Sequence, residues 1–140
     1  MEKRDYLMDQ IEQLGRALAM IYSKLLGFRN EGKVPEAIEM TTLSLKTELD
    51  LDLDELAAIP TEDFLSRMKD DKKFNYANLE ILADILLHIA DDINQSDPDS
   101  KQDLNFYDKA LKIYKYLNER DLTYSFERQA KIERIESILM

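Results

Sequence analysis

The chain has 140 residues with 29 acidic against 19 basic side chains, a formal charge of -10, and its 44% hydrophobic content is enough to bury one cooperative core, read as a single domain over 1–140. Zero cysteines exclude disulfides, thiolate metal sites, iron-sulfur clusters and cysteine nucleophiles, and three glycines with three prolines leave little for a glycine-rich phosphate loop or a turn-rich β fold. A surface this acidic repels phosphate backbones and anionic lipid heads, so neither nucleic acid nor a membrane is an expected partner.

Charged residues interrupt the start of the chain at Asp5, Asp9 and Glu12, and nowhere do about 18 apolar residues run together, so a cytoplasmic location is expected. The apolar residues Leu7, Ile11, Leu14, Leu18, Ile21, Leu25 and Phe28 recur at alternating steps of four and three, which predicts a first helix. Met8, Ala17, Ala19, Tyr22 and Leu26 widen its apolar face beyond a coiled-coil seam, as a globular helical array requires. Gly15 interrupts this helix at a cost of about 1 kcal/mol relative to alanine, which points to a close helix approach there. Gly32 is placed to close the helix in a left-handed conformation, and Pro35 to open a second, antiparallel helix that runs to about Glu48.

Leucine then alternates with acid from Leu49 to Asp54, read as an extended connector with a short helical turn that ends at Ile59-Pro60. Thr61 is the expected N-cap of a short helix to about Lys69. From about Asn75 to Gln95 the apolar residues cover most of a helix, marking it as central, and its polar residues Glu80, Asp84, His88, Asp91, Asp92 and Gln95 gather on one strip. After a loop over 96–100, a fifth helix carries Phe106, Tyr107, Ala110, Ile113 and Tyr114, and a sixth carries Tyr124, Phe126, Ile132, Ile135 and Leu139. The fold class is all-α, with about five to six helices.

Enzyme chemistry has little support, because His88 is the only histidine and no Gly-x-Ser-x-Gly, Walker or dinucleotide motif accompanies it. Glu80, Asp84, His88 and Asp92 follow at four-residue steps on one ridge. The ordinary reading is the wet face of a buried helix. The alternatives are a groove that presents acid to a basic partner, or a metal- or small-molecule-binding bundle centred on those four residues. Asp50, Asp52 and Asp54 imitate the opening of a calcium loop, but Glu55 and Thr61 stand where its glycine and bidentate glutamate belong. Arg128 lies in line with the apolar positions of the last helix, where it either clamps a carboxylate or packs its stem with the head in water.

Laying Ala37-Ile38 over Ala110-Leu111 also lays Val34 over Tyr107 and Thr41 over Tyr114. Ile21, Phe28, Gly32, Val34 and Ala37 fall at the spacing of a tetratricopeptide helix pair. On these residues the chain resembles a tetratricopeptide-like protein over roughly residues 18 to 45 and in part over 80 to 120. With its closing run from Thr123 to Ile132 it is similar to an uncharacterised bacterial family of small helical proteins of that architecture. The resemblance implies a right-handed array of antiparallel helix hairpins that binds a partner without catalytic residues or a cofactor. Tyr22 and Leu26 stand where such domains place the lysine and asparagine of a carboxylate clamp, so an EEVD-like tail is not the expected ligand.

The expected function is therefore a non-enzymatic scaffold whose partner is another protein or a peptide of basic or mixed charge. The expected partner-binding residues are Tyr22, Arg29, Asp84, His88, Asp92, Tyr124 and Arg128. Self-association through the seam from Leu7 to Phe28 is a further class of partner.

Overall fold

The computed structural model describes residues 2–121 and 125–140. There the periodic segments form seven helices, α1 (Glu2–Asn30), α2 (Val34–Leu49), α3 (Leu53–Ala58), α4 (Thr61–Asp70), α5 (Tyr76–Ser96), α6 (Gln102–Arg120) and α7 (Phe126–Leu139), with no strand among the described residues. Gly32 has φ +75, and Pro35 occupies the first turn of α2. The acid-and-leucine connector is not extended throughout. Asp50 closes α2 in the left-handed region at φ 55, and the Asp52 carboxylate caps α3 by accepting the Asp54 and Glu55 N–H groups at 2.9 and 3.2 Å. Those bonds hold the Asp52 carboxyl below its ordinary pKa, and Leu53 and Leu56 are buried.

Three further details differ from the sequence reading. The count is seven helices, because α3 is a helix in its own right and not a single turn. Pro60, not Thr61, stands at the N-cap of α4, without a side-chain capping bond. α7 starts at Phe126, after Ser125, whose hydroxyl accepts the Arg128 N–H at 3.1 Å. Tyr124 lies outside the described residues.

Side-chain pairs fix the helix directions. Ile11, Tyr22 and Arg29 of α1 meet Asn78, His88 and Asp92 of α5 in rising order, so these helices are parallel. Arg128, Lys131 and Arg134 of α7 meet Glu80, Asp84 and Asp91 in the same sense, which makes α7 parallel to α5 as well. Tyr107 and Tyr114 of α6 meet Asp91 and Asp84 in falling order, so α6 is antiparallel to α5. α4 runs with α6, because Lys109 lies over Phe64 and Lys69 over Tyr116. After the short turn at 31–33, α2 folds back along α1 and ends beside Leu14 and Ala17, so α1, α5 and α7 share one direction while α2, α4 and α6 take the other. One apolar core joins all seven helices, and α5 contributes Leu79, Leu82, Ala83, Ile85, Leu86, Leu87, Ile89 and Ala90 to it. The accessible surface, 8651 Å², exceeds the roughly 7,500 Å² expected of a compact monomer of 16.4 kDa.

Gly15 is the contact point the sequence indicated. A Cβ there would lie 2.9 Å from Asn78 Oδ1. That oxygen cannot swing away freely, because the buried Asn78 side chain donates to the backbone carbonyls of Ile11 at 3.0 Å and Lys73 at 2.8 Å. One amide thereby ties α1, the turn before α5 and the first turn of α5 together. α1 continues past this point, so its residues before Ile11 project beyond the start of α5.

Gly15→Ala should therefore lower stability by about 1–2 kcal/mol, because it dislodges buried hydrogen bonds. In an Asn78→Ala background the same substitution should stabilise by up to about 1 kcal/mol, because only helix propensity remains. Urea unfolding of the four proteins checks the reversal of sign.

Candidate functional site

A helix covered on most sides must do something with its charged strip, since an unpaired buried carboxylate is costly. In α5 each acid of the strip meets a partner from another helix. Glu80 receives a two-pronged contact from Arg128, Nε at 2.9 Å and Nη2 at 2.8 Å. Arg128 also donates to Asn118 at 3.2 Å and Asp121 at 3.3 Å. Asp84 accepts the Tyr114 hydroxyl at 2.5 Å and Lys131 Nζ at 2.9 Å. Asp91 accepts the Tyr107 hydroxyl at 2.6 Å and both terminal nitrogens of Arg134 at 3.0 and 2.9 Å.

Burial and the adjoining carboxylates push the Tyr107 and Tyr114 hydroxyls well above the ordinary tyrosine range, so both remain donors. The bond to Glu80 raises the Arg128 pKa despite burial, and the bond to Asp91 raises that of Arg134.

The α1 side of the strip is a cluster of four residues. Arg29 places Nη1 against His88 Nδ1 and Nε 3.0 Å from Asp92 Oδ1. A guanidinium has only donors, so His88 Nδ1 must accept, and the ring is neutral with its proton on Nε2. That N–H donates to the Tyr22 hydroxyl at 3.1 Å, and the two rings pack with centroids 5.3 Å apart. Burial and the Arg29 charge both lower the His88 pKa, while burial and the negative charge of Asp84 raise that of Tyr22. Asp92 is fully buried, and although Arg29 stands close to Oδ1, neither carboxylate oxygen has an aligned hydrogen bond. Burial raises its pKa over the opposing effect of Arg29.

The expected site residues thus divide. Tyr22, Arg29, His88 and Asp92 come together in one cluster, Asp84 lies beside it under Lys131, and Arg128 lies further along α5 on Glu80. Tyr124 falls outside the described residues. The strip is not a wet acidic face. Its carboxylates are the inner members of most pairs, with Asp84 and Asp91 15% and 18% exposed against 31% for Lys131 and 47% for Arg134. Solvent meets cations there, on a chain of charge -10.

The sequence reading missed Lys131, Arg134, Tyr107 and Tyr114. A signal for them existed. Tyr107 and Tyr114 are seven apart, as are Asp84 and Asp91, and Arg128, Lys131 and Arg134 recur every three residues on the adjoining helix. Tyr114 is core, and Tyr116 is half-buried between Lys69 and Arg120 with its ring edge-on to Tyr76.

A metal on Glu80, Asp84, His88 and Asp92 would have to displace Arg128, Lys131 and Arg29 from their present partners. No group of three or more histidine, aspartate or glutamate side chains is disposed to hold an ion among the described residues. No helix there is long and apolar enough to cross a membrane. Compared with protein-family models, curated proteins and solved structures, the chain matches none.

The site should titrate through His88, which faces Tyr22, Arg29, Asp84, Asp91 and Lys131. Its folded pKa lies below 6.5, so its contribution to stability is complete above that value and declines as pH falls below it, where the unfolded chain binds the proton first. Asp92, raised in the folded state, acts in the opposite sense as pH falls further. Unfolding free energies measured across this range should fall more steeply with acid for the wild type than for His88→Gln. Separately, Arg128→Ala should cost about 2–3 kcal/mol, below the full penalty of a broken buried pair because Glu80 can rehydrate.

Proposed function

We propose that this chain is a non-enzymatic, tetratricopeptide-like scaffold, a right-handed array of helix hairpins that binds a segment of another protein along the face shared by α1, α5 and α7. The alternation of helix direction, with α1, α5 and α7 parallel and α2, α4 and α6 opposed, supports this architecture, as does the excess of accessible surface over a compact monomer. The observation that carries the binding reading is the outward row of cations, Arg29, Lys131 and Arg134, set over inner acids.

Such a row favours a partner of mixed charge. Partner carboxylates would meet Arg29, Lys131 and Arg134, and partner cations would exchange onto Asp84 and Asp91 as those pairs open. Tyr22 supplies a half-buried aromatic surface beside them. The neutral His88 and the cation-paired carboxylates of Glu80, Asp84 and Asp91 favour binding over catalysis, because each acid already faces a cation from another helix.

Affinity capture with the wild-type chain, followed by mass spectrometry, should enrich a protein that the Arg29→Glu, Lys131→Glu, Arg134→Glu variant no longer retains. Binding should weaken as salt rises, because the attraction is between partly exposed charges. A partner retained equally by wild type and variant, at low and high salt alike, would sink this assignment of the face.

A further inference from the structure

The apolar seam of α1 outlasts the core that covers it. Leu14, Leu18, Ile21 and Leu25 are buried, whereas Leu7 and Ile11, earlier members of the same seam, lie outside the core and remain half-covered. Tyr6 and Met8 beside them are 65% and 53% exposed. The covering helix stops first, since α2 runs antiparallel to α1 and ends at Leu49, beside Leu14 and Ala17. A cleft of about 520 Å³ opens at that end. Its walls include the apolar Leu14, Leu49, Leu51 and Phe74, and its acids are Glu48, Asp50 and Asp71, of which Asp71 lies 4.0 Å from Lys73.

We propose that a second copy of this chain fills the cleft, forming a two-fold dimer in which the projecting ends of the two α1 helices pair antiparallel. Three features of the chain fit that one arrangement. First, opposing Leu7 to Ile11 of the other copy satisfies both half-covered side chains at once, and by symmetry does so twice. Second, the same register sets Arg4 of each copy opposite Leu14 of the other, inside the cleft beside Glu48 and Asp50, with Lys3 adjacent.

Third, the helix directions agree. An antiparallel second α1 runs the same way as α2, so its N-terminal end meets the C-terminal end of α2, and the two macrodipole ends are of opposite sign. Each α1 end thereby continues the line of the other copy's α2 and completes the cover over the seam. Repulsion between two chains of charge -10 is long-range, and at physiological ionic strength it is screened beyond about 8 Å. The apolar contact between the two seams is therefore opposed only weakly by the net charge.

The test uses the full chain at physiological salt. Sedimentation velocity between about 1 and 100 µM should show a dimer, and Leu7→Arg with Ile11→Arg should raise its dissociation constant about a hundredfold or more. The helical signal and melting temperature of the variant monomer should persist, since both residues lie outside the core. Should that variant misfold, Arg4→Glu at an exposed position should weaken the dimer at least about tenfold, and adding Glu48→Arg should restore it.

The chain has no cysteine, so Leu7→Cys with Ile11→Cys should give a disulfide-linked dimer on mild oxidation against no background, faster than Met8→Cys alone. A monomer over the whole range overturns the proposal. So does a dimer indifferent to the substitutions at Leu7, Ile11 and Arg4, or one cross-linked at Met8 as readily as at the seam.

Discussion

The charged strip of α5 constrains everything around it. An apolar helix of 21 residues that carries Glu80, Asp84, Asp91 and Asp92 on one side cannot be central unless that side is neutralised, because burying a carboxylate without a partner costs more than the surrounding apolar contacts return. The fold answers with two parallel helices, α1 bringing Arg29 and α7 bringing Arg128, Lys131 and Arg134. The third neighbour, α6, contributes hydroxyls in place of charges. The position of α7, which reaches α5 through long side chains while its apolar Ile132 and Ile135 enter the core, follows from this division of labour.

The pairs are not equivalent. Arg128 is buried beneath a half-exposed Glu80, whereas Lys131 and Arg134 stand outside the acids they bind. At the far end Asp92 is held without aligned hydrogen bonds and leans on a guanidinium that also serves His88. The strip therefore grades from a well-satisfied fork at Glu80 to a compromise at Asp92. The less satisfied end is the one that faces Arg29 of α1. A neutral imidazole held between an arginine and a tyrosine accepts from the first, donates to the second and contributes no charge of its own.

Much of the fold was legible from residue patterns. Gly32 and Pro35 marked the first turn because few residues tolerate a left-handed backbone and proline suits a first helical turn. Gly15 announced a close approach, although not that Asn78 would be the group approaching. The connector from Leu49 to Asp54 was misread in part, since strict alternation imitates a strand, while in the structure Asp50 and Asp52 serve as the end of one helix and the cap of the next. For the site, periodicity placed Glu80, Asp84, His88 and Asp92 on a single ridge. It could not say what stood opposite, because the partners lie in helices dozens of residues away in either direction.

By itself, then, the sequence determined an all-helical chain with an acidic surplus, its turns, its central helix and the face on which that helix carries its charge. These are local properties, fixed by spacing along one helix and by the backbone preferences of single residues. Only the tertiary structure decided that this face is lined by cations and not by water, that acids lie beneath and Arg29, Lys131 and Arg134 above, and that the seam of α1 runs on half-covered past the end of α2. The reason is that pairing across helices depends on helix direction and offset, and both are set by the packing of the whole core, which no single segment encodes.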